Sequence, residues 1–238
     1  MPDEVAALAD GALVTPVWAN TAGGLTFRID RDVAVGGAWF VKWNPTGSGE
    51  SLAAEALRLD WLRDRFDAPR VVATGANASA EWLATEAIAA EPAVSQAWKA
   101  RPDVAARALG DGLRRLHETF EPADCPFDWS VASRIEVAEA AGHVVPARLH
   151  DPPAIDRLVV CHGDPCAPNT LIDAAGGFAG IVDVARLGVA DRWADLAVAS
   201  WSLEWNFGVG WEPAFFDAYR IDPDVERITY YRALWDAT

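Results

Sequence analysis

The stretch from Val160 to Asp183, which reads VCHGDPCAPNTLIDAAGGFAGIVD, is the sequence feature that most constrains this chain. Asp164 and Asn169 lie five residues apart, and Asp183 ends an apolar run fourteen residues after Asn169. Short β-prone runs follow Asn169 and precede Asp183, and the Asp-Ala-Ala-Gly-Gly between them is typical of a turn. The pattern predicts a hairpin that returns Asp183 to the neighbourhood of Asn169.

These residue types suit phosphoryl transfer. A hydroxyl group that attacks the γ-phosphate of ATP needs a carboxylate to orient it and accept its proton, and the phosphate charge needs Mg²⁺ held by oxygen ligands. Asp164 is the candidate base, and Asn169 and Asp183 are the candidate magnesium ligands. Taken singly, Asp and Asn beside Gly and Pro are more often turn residues than ligands. The ordered set of three favours a phosphoryl-transfer site.

The segments HGDPCAPNT and IVDVARLGVADRWADLA resemble the aminoglycoside phosphotransferases, most closely their 3'-phosphotransferase branch. The match runs with few gaps from Val159 to Leu196 and more loosely over most of the chain. The resemblance implies an α+β, two-lobed, protein-kinase-like fold with an N-terminal antiparallel sheet, one helix and a mostly helical C-terminal lobe. It implies a nucleotide-binding lobe over residues 1–85 and a catalytic and substrate-binding lobe over residues 86–238.

The N-terminal part contains a candidate phosphate ligand. Three β-prone segments between Leu13 and Trp43 predict an antiparallel sheet, and Lys42 lies in the last of them. Alone, Lys42 would be interpreted as a solvated lysine. The next segment, Leu52 to Phe66, has the apolar spacing of a helix and carries Glu55 near its start. The resemblance makes Lys42 the ligand of the α- and β-phosphates and Glu55 the residue that orients it.

Two further N-terminal features relate to the nucleotide. The turn Thr21-Ala-Gly-Gly is either a phosphate-covering loop or a plain hairpin turn, and the residues alone leave both open. The segment Leu83-Ala-Thr-Glu-Ala matches the family's interlobe hinge. The resemblance implies that the carbonyl of Thr85 and the N–H of Ala87 contact the purine of ATP or GTP, whereas the residues alone indicate only a strand end.

Residues after Asp183 have both a structural and a functional interpretation. Arg186 follows three residues later. From the residues alone, Arg186 would form an ion pair with Asp191 or Asp195, whereas the resemblance places it near the transferred phosphate and the substrate. The resemblance also implies that Asp195 braces the loop around Asp164 by accepting hydrogen bonds from backbone N–H groups.

The acceptor site is implied by the resemblance and differs from the family's pattern. The residues expected to face the ammonium groups of the drug are Glu139, Glu204, Asp236 and the terminal carboxylate of Thr238. Relatives often carry an acidic pair where this chain has Glu204 alone. The ending Leu234-Trp-Asp-Ala-Thr replaces the aspartate, glutamate and aromatic residue typical of the 3' branch. These differences leave the identity of the acceptor open.

Composition narrows the class of partner. The formal net charge of −15 disfavours nucleic acid and suits a cationic small molecule. The sequence has no run of eighteen apolar residues and opens with acidic residues, so we expect no membrane association and a cytoplasmic location, as a monomer or dimer. The three cysteines lack metal-site spacing, and Cys166, beside Asp164, is expected to be passive.

The favoured hypothesis is an ATP- and Mg²⁺-dependent kinase that phosphorylates a hydroxyl group of an aminoglycoside and so confers resistance. A kinase for another small alcohol, such as a macrolide, an amino sugar or a choline-like metabolite, is the first alternative. A kinase-like binding module without turnover is the second. A binding module without turnover is expected to lack the phosphate-binding lysine or a metal ligand. This chain has all five residues that the kinase hypothesis requires: Lys42, Glu55, Asp164, Asn169 and Asp183.

Overall fold

The computed structural model describes residues 1–32 and 37–238. These residues form two compact units, 1–89 and 90–238, hereafter the N-terminal and C-terminal units. The N-terminal unit contains an antiparallel sheet and the C-terminal unit is mostly helical, so the predicted α+β class is confirmed. Within the described ranges, no helix has both the length and the hydropathy needed to cross a bilayer.

The described residues of the N-terminal unit form a five-stranded antiparallel sheet and two helices. Its strands follow the order β1-β2-β3-β5-β4, so β3 lies in the middle and pairs with β2 and β5. The sheet that the β-prone segments predicted is therefore present. The elements are α1 (Asp3–Ala9), β1 (Leu13–Ala19), β2 (Leu25–Asp30), β3 (Trp39–Pro45), α2 (Leu52–Leu62), β4 (Val71–Ala76) and β5 (Ala80–Glu86).

Alternation along β3 places Lys42 on the face opposite Val41. Val41 is fully buried in a cluster with residues of β2 and with Val5 and Ala9 of α1. Helix α1, which the sequence analysis did not predict, therefore covers the Val41 face. Lys42 reaches Glu55 of α2, so the two helices cover opposite faces of the sheet.

Helix α2 is shorter than predicted, and a side chain closes the turn between β1 and β2. Helix α2 starts as predicted, with the Ser51 hydroxyl accepting from the N–H of Ala54, but it ends at Leu62 and not at Phe66. The helix ends because the backbone of Arg63 is no longer helical, with ψ 131°, and Asp64 follows in the left-handed region with φ +60°. The β1–β2 turn is closed by Asn20, whose side-chain oxygen accepts from the N–H of Gly24 at 2.6 Å.

The C-terminal unit contains helices and two small sheets, β10-β7 and β6-β8-β9. Short 3₁₀ turns, including Ala167–Asn169, connect some of the elements. The elements are β6 (Glu91–Pro92), α3 (Gln96–Lys99), α4 (Pro102–Thr119), α5 (Val131–Ala140), β7 (Leu158–Cys161), β8 (Thr170–Ile172), β9 (Phe178–Ile181), β10 (Gly188–Asp191), α6 (Trp193–Phe207), α7 (Glu212–Tyr219) and α8 (Val225–Ala237).

Helix α6 forms the centre of this unit. Most of its first eleven residues are buried, including the polar residues Asp195, Ser200 and Ser202. A helix that is buried nearly all round must supply partners for its polar side chains within the protein. Two of those side chains position the loop that follows β7.

Helix α4 packs against α7 through a glycine. A Cβ at Gly110 would lie 2.3 Å from the carbonyl oxygen of Phe215 and 3.1 Å from the backbone nitrogen of Tyr219. Because both neighbours are backbone atoms, they have little freedom to move aside. Glycine at this position lets the two helix backbones approach each other.

We predict that Gly110→Ala lowers the free energy of unfolding by about 1–2 kcal/mol, because overpacking outweighs the gain in helix propensity. The control is Arg107→Ala at an exposed position of the same helix, which should change stability by less than about 0.5 kcal/mol. Urea denaturation of both variants measures the effect. A Gly110→Ala variant as stable as the control would contradict the close approach of α4 and α7.

Candidate active site

The loop between β7 and β8, residues 162–169, carries Asp164 and Asn169. Its second residue, Gly163, has φ +84°, and a Cβ there would lie 2.2 Å from the carbonyl oxygen of Arg186. Only glycine fits both the left-handed backbone and this contact. The 162–169 loop therefore packs backbone to backbone against the segment that follows Asp183.

The hairpin predicted between Asn169 and Asp183 is confirmed. Strands β8 and β9 pair with Thr170 opposite Ile181, and the N–H of Val182 donates to the carbonyl of Asn169 at 3.0 Å. Val182 immediately precedes Asp183 in the chain. The two candidate metal ligands are thus held at the same end of one hairpin.

The backbone of Asp183 is in the left-handed region, with φ +62°. A non-glycine residue in this region costs about 1–2 kcal/mol, and such residues concentrate at functional sites. Asn169 is oriented by its own loop, since its Nδ2 donates to the carbonyl of Asp164 at 2.9 Å. That hydrogen bond uses the amide nitrogen, so the Oδ1 atom is the one suited to bind a cation.

Asp164 has an unused acceptor. Its Oδ1 atom is buried and accepts no hydrogen bond from any of the residues that the structure describes. A buried polar atom without a hydrogen-bond partner lowers the stability of the folded protein by about 1–3 kcal/mol. A hydroxyl group of a bound ligand would supply the missing donor, as a base for phosphoryl transfer requires.

His162 connects the two aspartates. Its Nε2 lies 3.0 Å from the carbonyl oxygen of Val182, and its Nδ1 lies 3.2 Å from the backbone nitrogen of Asp164. Because a carbonyl only accepts and a backbone N–H only donates, the proton must be on Nε2. This one imidazole positions the backbone of Asp164 and the residue before Asp183.

Asp195, at the start of α6, braces the loop as the family resemblance implied. Its Oδ2 accepts from the N–H of His162 at 2.6 Å, and its Oδ1 accepts from the N–H of Gly163 at 3.0 Å. The carboxylate is fully buried. Its backbone donors immediately precede Asp164, so α6 determines where the loop begins.

A third hydrogen bond to Asp195 comes from His117 on α4, whose Nε2 lies 3.0 Å from Oδ2. The Nδ1 of His117 is 2.8 Å from the hydroxyl of Tyr219. Burial raises the pKa of Tyr219 above its usual value, so the phenol stays protonated and donates to the imidazole. His117 is thus part of a buried hydrogen-bonded chain that ends on Asp195.

Helix α6 also holds the other end of the loop. The Ser202 hydroxyl oxygen accepts from the N–H of Ala167 at 2.9 Å. Ser202 lies seven residues, or about two turns, after Asp195 on the same helix face. Between these two attachments lies Cys166, whose pKa is raised by burial and by the nearby Asp164 carboxylate. The thiol therefore stays protonated at neutral pH, which agrees with the passive role expected from sequence.

The N-terminal unit contains the ion pair that the sequence led us to expect. The Lys42 Nζ lies 2.9 and 2.8 Å from the two carboxylate oxygens of Glu55. Glu55 is 3% exposed in the first turn of α2, and Lys42 projects from the central strand β3. The pair fixes the direction of the lysine side chain.

The predicted hinge segment is the end of β5. Thr85 lies opposite Phe40 of β3, and the N–H of Ala87 donates to the carbonyl of Ala38 at 2.9 Å. In this structure the Ala87 donor expected to meet a purine is thus engaged within the N-terminal unit. A nucleotide would have to replace that hydrogen bond.

Arg186 is exposed, and its guanidinium carbon lies 5.8 Å from the ring centroid of Trp129 and 5.4 Å from that of Trp235. The alternative ion pairs with Asp191 or Asp195 are absent among the described residues. Asp191 lies 3.5 Å from Arg227, and the acceptors of Asp195 are used by the contacts given above. Arg186 is left at the surface beside two indole rings.

The four predicted acceptor-binding residues have different surroundings. Glu139 lies 3.6 Å from the Nε2 of His150, and both side chains are roughly half exposed. Glu204 on α6 and Asp236 on α8 are exposed. The Thr238 hydroxyl accepts from Arg134 at 2.9 Å and donates to the carbonyl of Leu234. The neighbour of Thr238 is therefore a cation.

Sequence reasoning missed Trp129 and Arg134. Arg134 is buried on α5 together with Ile135 and Ala138. The missed signal was its position, since residues 131, 134, 135 and 138 share one helix face and only Arg134 among them is charged. A charged residue on an apolar stripe is a candidate for a buried contact.

Residues 19–231 match the model of the phosphotransferase enzyme family. An aminoglycoside 3'-phosphotransferase of Streptomyces fradiae is 35% identical over 80% of this chain and 81% of its own length. The crystal structure of an aminoglycoside 3'-phosphotransferase of type VIII superposes with a TM-score of 0.82 at 30% identity, over 99% of this chain and 98% of that one.

A 3''-type aminoglycoside phosphotransferase of Streptomyces rimosus, in complex with ADP and streptomycin, superposes with a TM-score of 0.71 at 29% identity, over 98% of both chains. These similarities confirm the protein-kinase-like fold implied by the sequence resemblance.

We predict that Asp195→Ala lowers the free energy of unfolding by about 3 kcal/mol or more, because it leaves several buried donors without an acceptor. Asp217→Ala, at an exposed position on α7, is the control and should cost less than about 0.5 kcal/mol. Guanidinium denaturation compares the two. Equal stability of both variants would mean that Asp195 does not hold the loop.

Proposed function

This chain belongs to the phosphotransferase enzyme family, and we propose that it transfers the γ-phosphoryl group of ATP to a hydroxyl group of an aminoglycoside, which inactivates the antibiotic. The observation that carries the proposal is the geometry at the β8–β9 hairpin. One buried carboxylate oxygen of Asp164 receives no hydrogen bond from the described residues, and Asn169 and Asp183 lie at the same end of the hairpin.

The residues fit a magnesium ion. Asn169 and Asp183 offer hard oxygen atoms, which Mg²⁺ prefers, and Asn169 is fixed by a hydrogen bond that leaves its oxygen as the ligand atom. The strained backbone of Asp183 supports a functional role for its carboxylate. When bound, the ion would neutralise charge on the phosphate oxygens.

Asp164 would serve as the base. Its Oδ1 atom would accept a hydrogen bond from the acceptor hydroxyl, orient it and take its proton as the new phosphorus–oxygen bond forms. Phosphoryl transfer leaves little covalent work for the protein, so positioning supplies most of the rate. The braces from Asp195 and His162 would hold Asp164 in place without reorganisation.

The N-terminal unit would bind the nucleotide. Lys42, oriented by Glu55, would contact the α- and β-phosphates. Thr85 and Ala87 would meet the purine after the Ala87 amide exchanges its hydrogen bond with Ala38. We therefore propose residues 1–85 as the nucleotide-binding part and residues 86–238 as the catalytic and acceptor-binding part.

The aminoglycoside is supported by the relatives and by charge. The similar proteins named above are aminoglycoside phosphotransferases, and a net charge of −15 favours capture of a polycation. Glu139, Glu204 and Asp236 are exposed carboxylates available to ammonium groups. Arg186 would lie near the transferred phosphate.

A kinase for a different small alcohol is the second candidate. The observation in its favour is the hydrogen bond between Thr238 and Arg134, which places a guanidinium where the family pattern suggested a site for an amine. This candidate keeps the same catalytic residues and changes the acceptor.

An acceptor panel with ATP and Mg²⁺ tests the function. We predict turnover on at least one aminoglycoside, with a decrease in kcat of about 10²–10⁴-fold in Asp164→Asn. Asp217→Asn, at an exposed position on α7, should keep the wild-type rate. Turnover confined to macrolides, amino sugars or choline-like alcohols would contradict the aminoglycoside assignment, and wild-type kcat in Asp164→Asn would remove Asp164 from the base role.

The metal assignment predicts a specific loss in Asp183→Ala. The wild-type protein should bind a non-hydrolysable ATP analogue more tightly with Mg²⁺ than with EDTA. In Asp183→Ala that difference should disappear, because the carboxylate ligand is gone. Isothermal titration calorimetry measures both affinities, and an unchanged dependence on Mg²⁺ would mean that the ion lies elsewhere.

A further inference from the structure

Two arginines and two tryptophans in the C-terminal unit form an arginine–tryptophan cluster: Trp129, Arg134, Arg186 and Trp235. The guanidinium carbon of Arg134 lies 5.0 Å from the centroid of Trp129 and 6.0 Å from that of Trp235. Arg186 lies over the same two rings. Two cations therefore lie close to the same pair of indole rings.

Arg134 is only 3% exposed, and its hydrogen-bonding capacity is largely unused. Its Nη2 donates to the Thr238 hydroxyl, but its Nε and Nη1 are buried and donate to no acceptor among residues 1–32 and 37–238. The indole nitrogen of Trp129 is likewise buried without an acceptor in the described part of the chain. Buried polar groups almost always have a partner, so these donors point to an absent acceptor.

The charge of the cluster is offset in part: the Asp195 carboxylate favours the charged form of Arg134, but less than burial and the charge of Arg186 disfavour it. Within the described ranges, no carboxylate forms an ion pair with Arg134 or Arg186. Burial lowers the pKa of Arg134 to about 10, and the positive charge of Arg186 is the second cause. Two adjacent cations are unusual in a protein of net charge −15, and a bound anion would reduce the repulsion between them.

The cluster lies beside the 162–169 loop. The backbone of Arg186 contacts Gly163, the residue before Asp164. Helix α5 supplies Arg134, and Trp235 comes from α8. Of the two arginines only Arg186 is exposed, so a ligand would approach the cluster from the Arg186 side.

We propose that the arginine–tryptophan cluster is a binding site for an oxyanion, a phosphate or carboxylate group, with Arg186 as the exposed donor and Arg134 as the buried donor. Guanidinium groups match both oxyanions in shape and hydrogen-bond geometry, and stacking on the indole faces leaves their edges available. The same site repels an ammonium group, contrary to the expectation for Thr238. Its role beside the base rests on the proposed function, whereas anion binding does not.

The oxyanion has two possible sources. One is the phosphoryl group that is transferred from the nucleotide to the acceptor. The other is an acidic group on the acceptor itself, which would make the acceptor more than a simple polycation. Inorganic phosphate and acetate represent the two chemistries as probes.

Isothermal titration calorimetry of the full chain, at constant ionic strength set with chloride, tests the proposal. We expect saturable binding of phosphate, acetate or both with one site per chain. Arg134→Met and Arg186→Met should each weaken it by at least about tenfold, because a charge-assisted hydrogen bond is lost. Arg115→Met, which removes another exposed arginine stacked on an aromatic ring, should bind as the wild type does.

Dependence on MgADP separates the two sources. Phosphate binding that becomes tighter with MgADP identifies the phosphoryl group, and acetate binding that MgADP leaves unchanged identifies an acceptor acid. Both results support the site. If neither probe binds the wild-type protein saturably, the proposal is wrong, whether or not Arg134→Met folds. The proposal is also wrong if Arg186→Met binds the probes as tightly as the wild type does. Anion binding without turnover would instead contradict the proposed function alone.

Discussion

The three hydrogen bonds accepted by the buried Asp195 carboxylate are the interaction on which the candidate site depends. Two come from the amides of His162 and Gly163, and the third comes from His117. Burying a carboxylate destabilises the folded protein unless hydrogen bonds are donated to its oxygens. The donors around Asp195 must therefore keep fixed positions. Because two of these donors are the amides of His162 and Gly163, the start of the loop that carries Asp164 is fixed as well.

His162 connects the 162–169 loop to the β8–β9 hairpin. Its imidazole joins the Asp164 amide to the carbonyl of Val182, next to Asp183. The candidate base and a candidate metal ligand are thereby positioned by a single side chain. Preorganisation of this kind suits phosphoryl transfer, in which the protein contributes chiefly position and charge. The loop shares its backbone contact at Gly163 with Arg186, so the proposed oxyanion site is built on the same framework.

Local features of the fold were predictable because local chemistry determines them. The β8–β9 hairpin follows from β-prone runs around a turn, and the Lys42–Glu55 pair follows from a strand before a helix that carries an early glutamate. The partners of Arg134 were not predictable. Apart from Trp129, they lie far along the chain, as Thr238 does, and no local pattern specifies such contacts. The hydrogen bond from the Ala87 amide to Ala38 was not predictable either, because it depends on how the chain just before β3 pairs with the end of β5.

Amide hydrogen exchange at His162 and Gly163 tests most directly whether the loop is held by Asp195. Both amides should exchange only through global unfolding, with protection equal to that of buried amides in α6 such as Leu196. Because the 162–169 loop is not itself a helix or long strand, such protection requires the carboxylate acceptor. Exchange at the rates of an exposed loop, while α6 stays protected, would mean that Asp195 does not hold the loop.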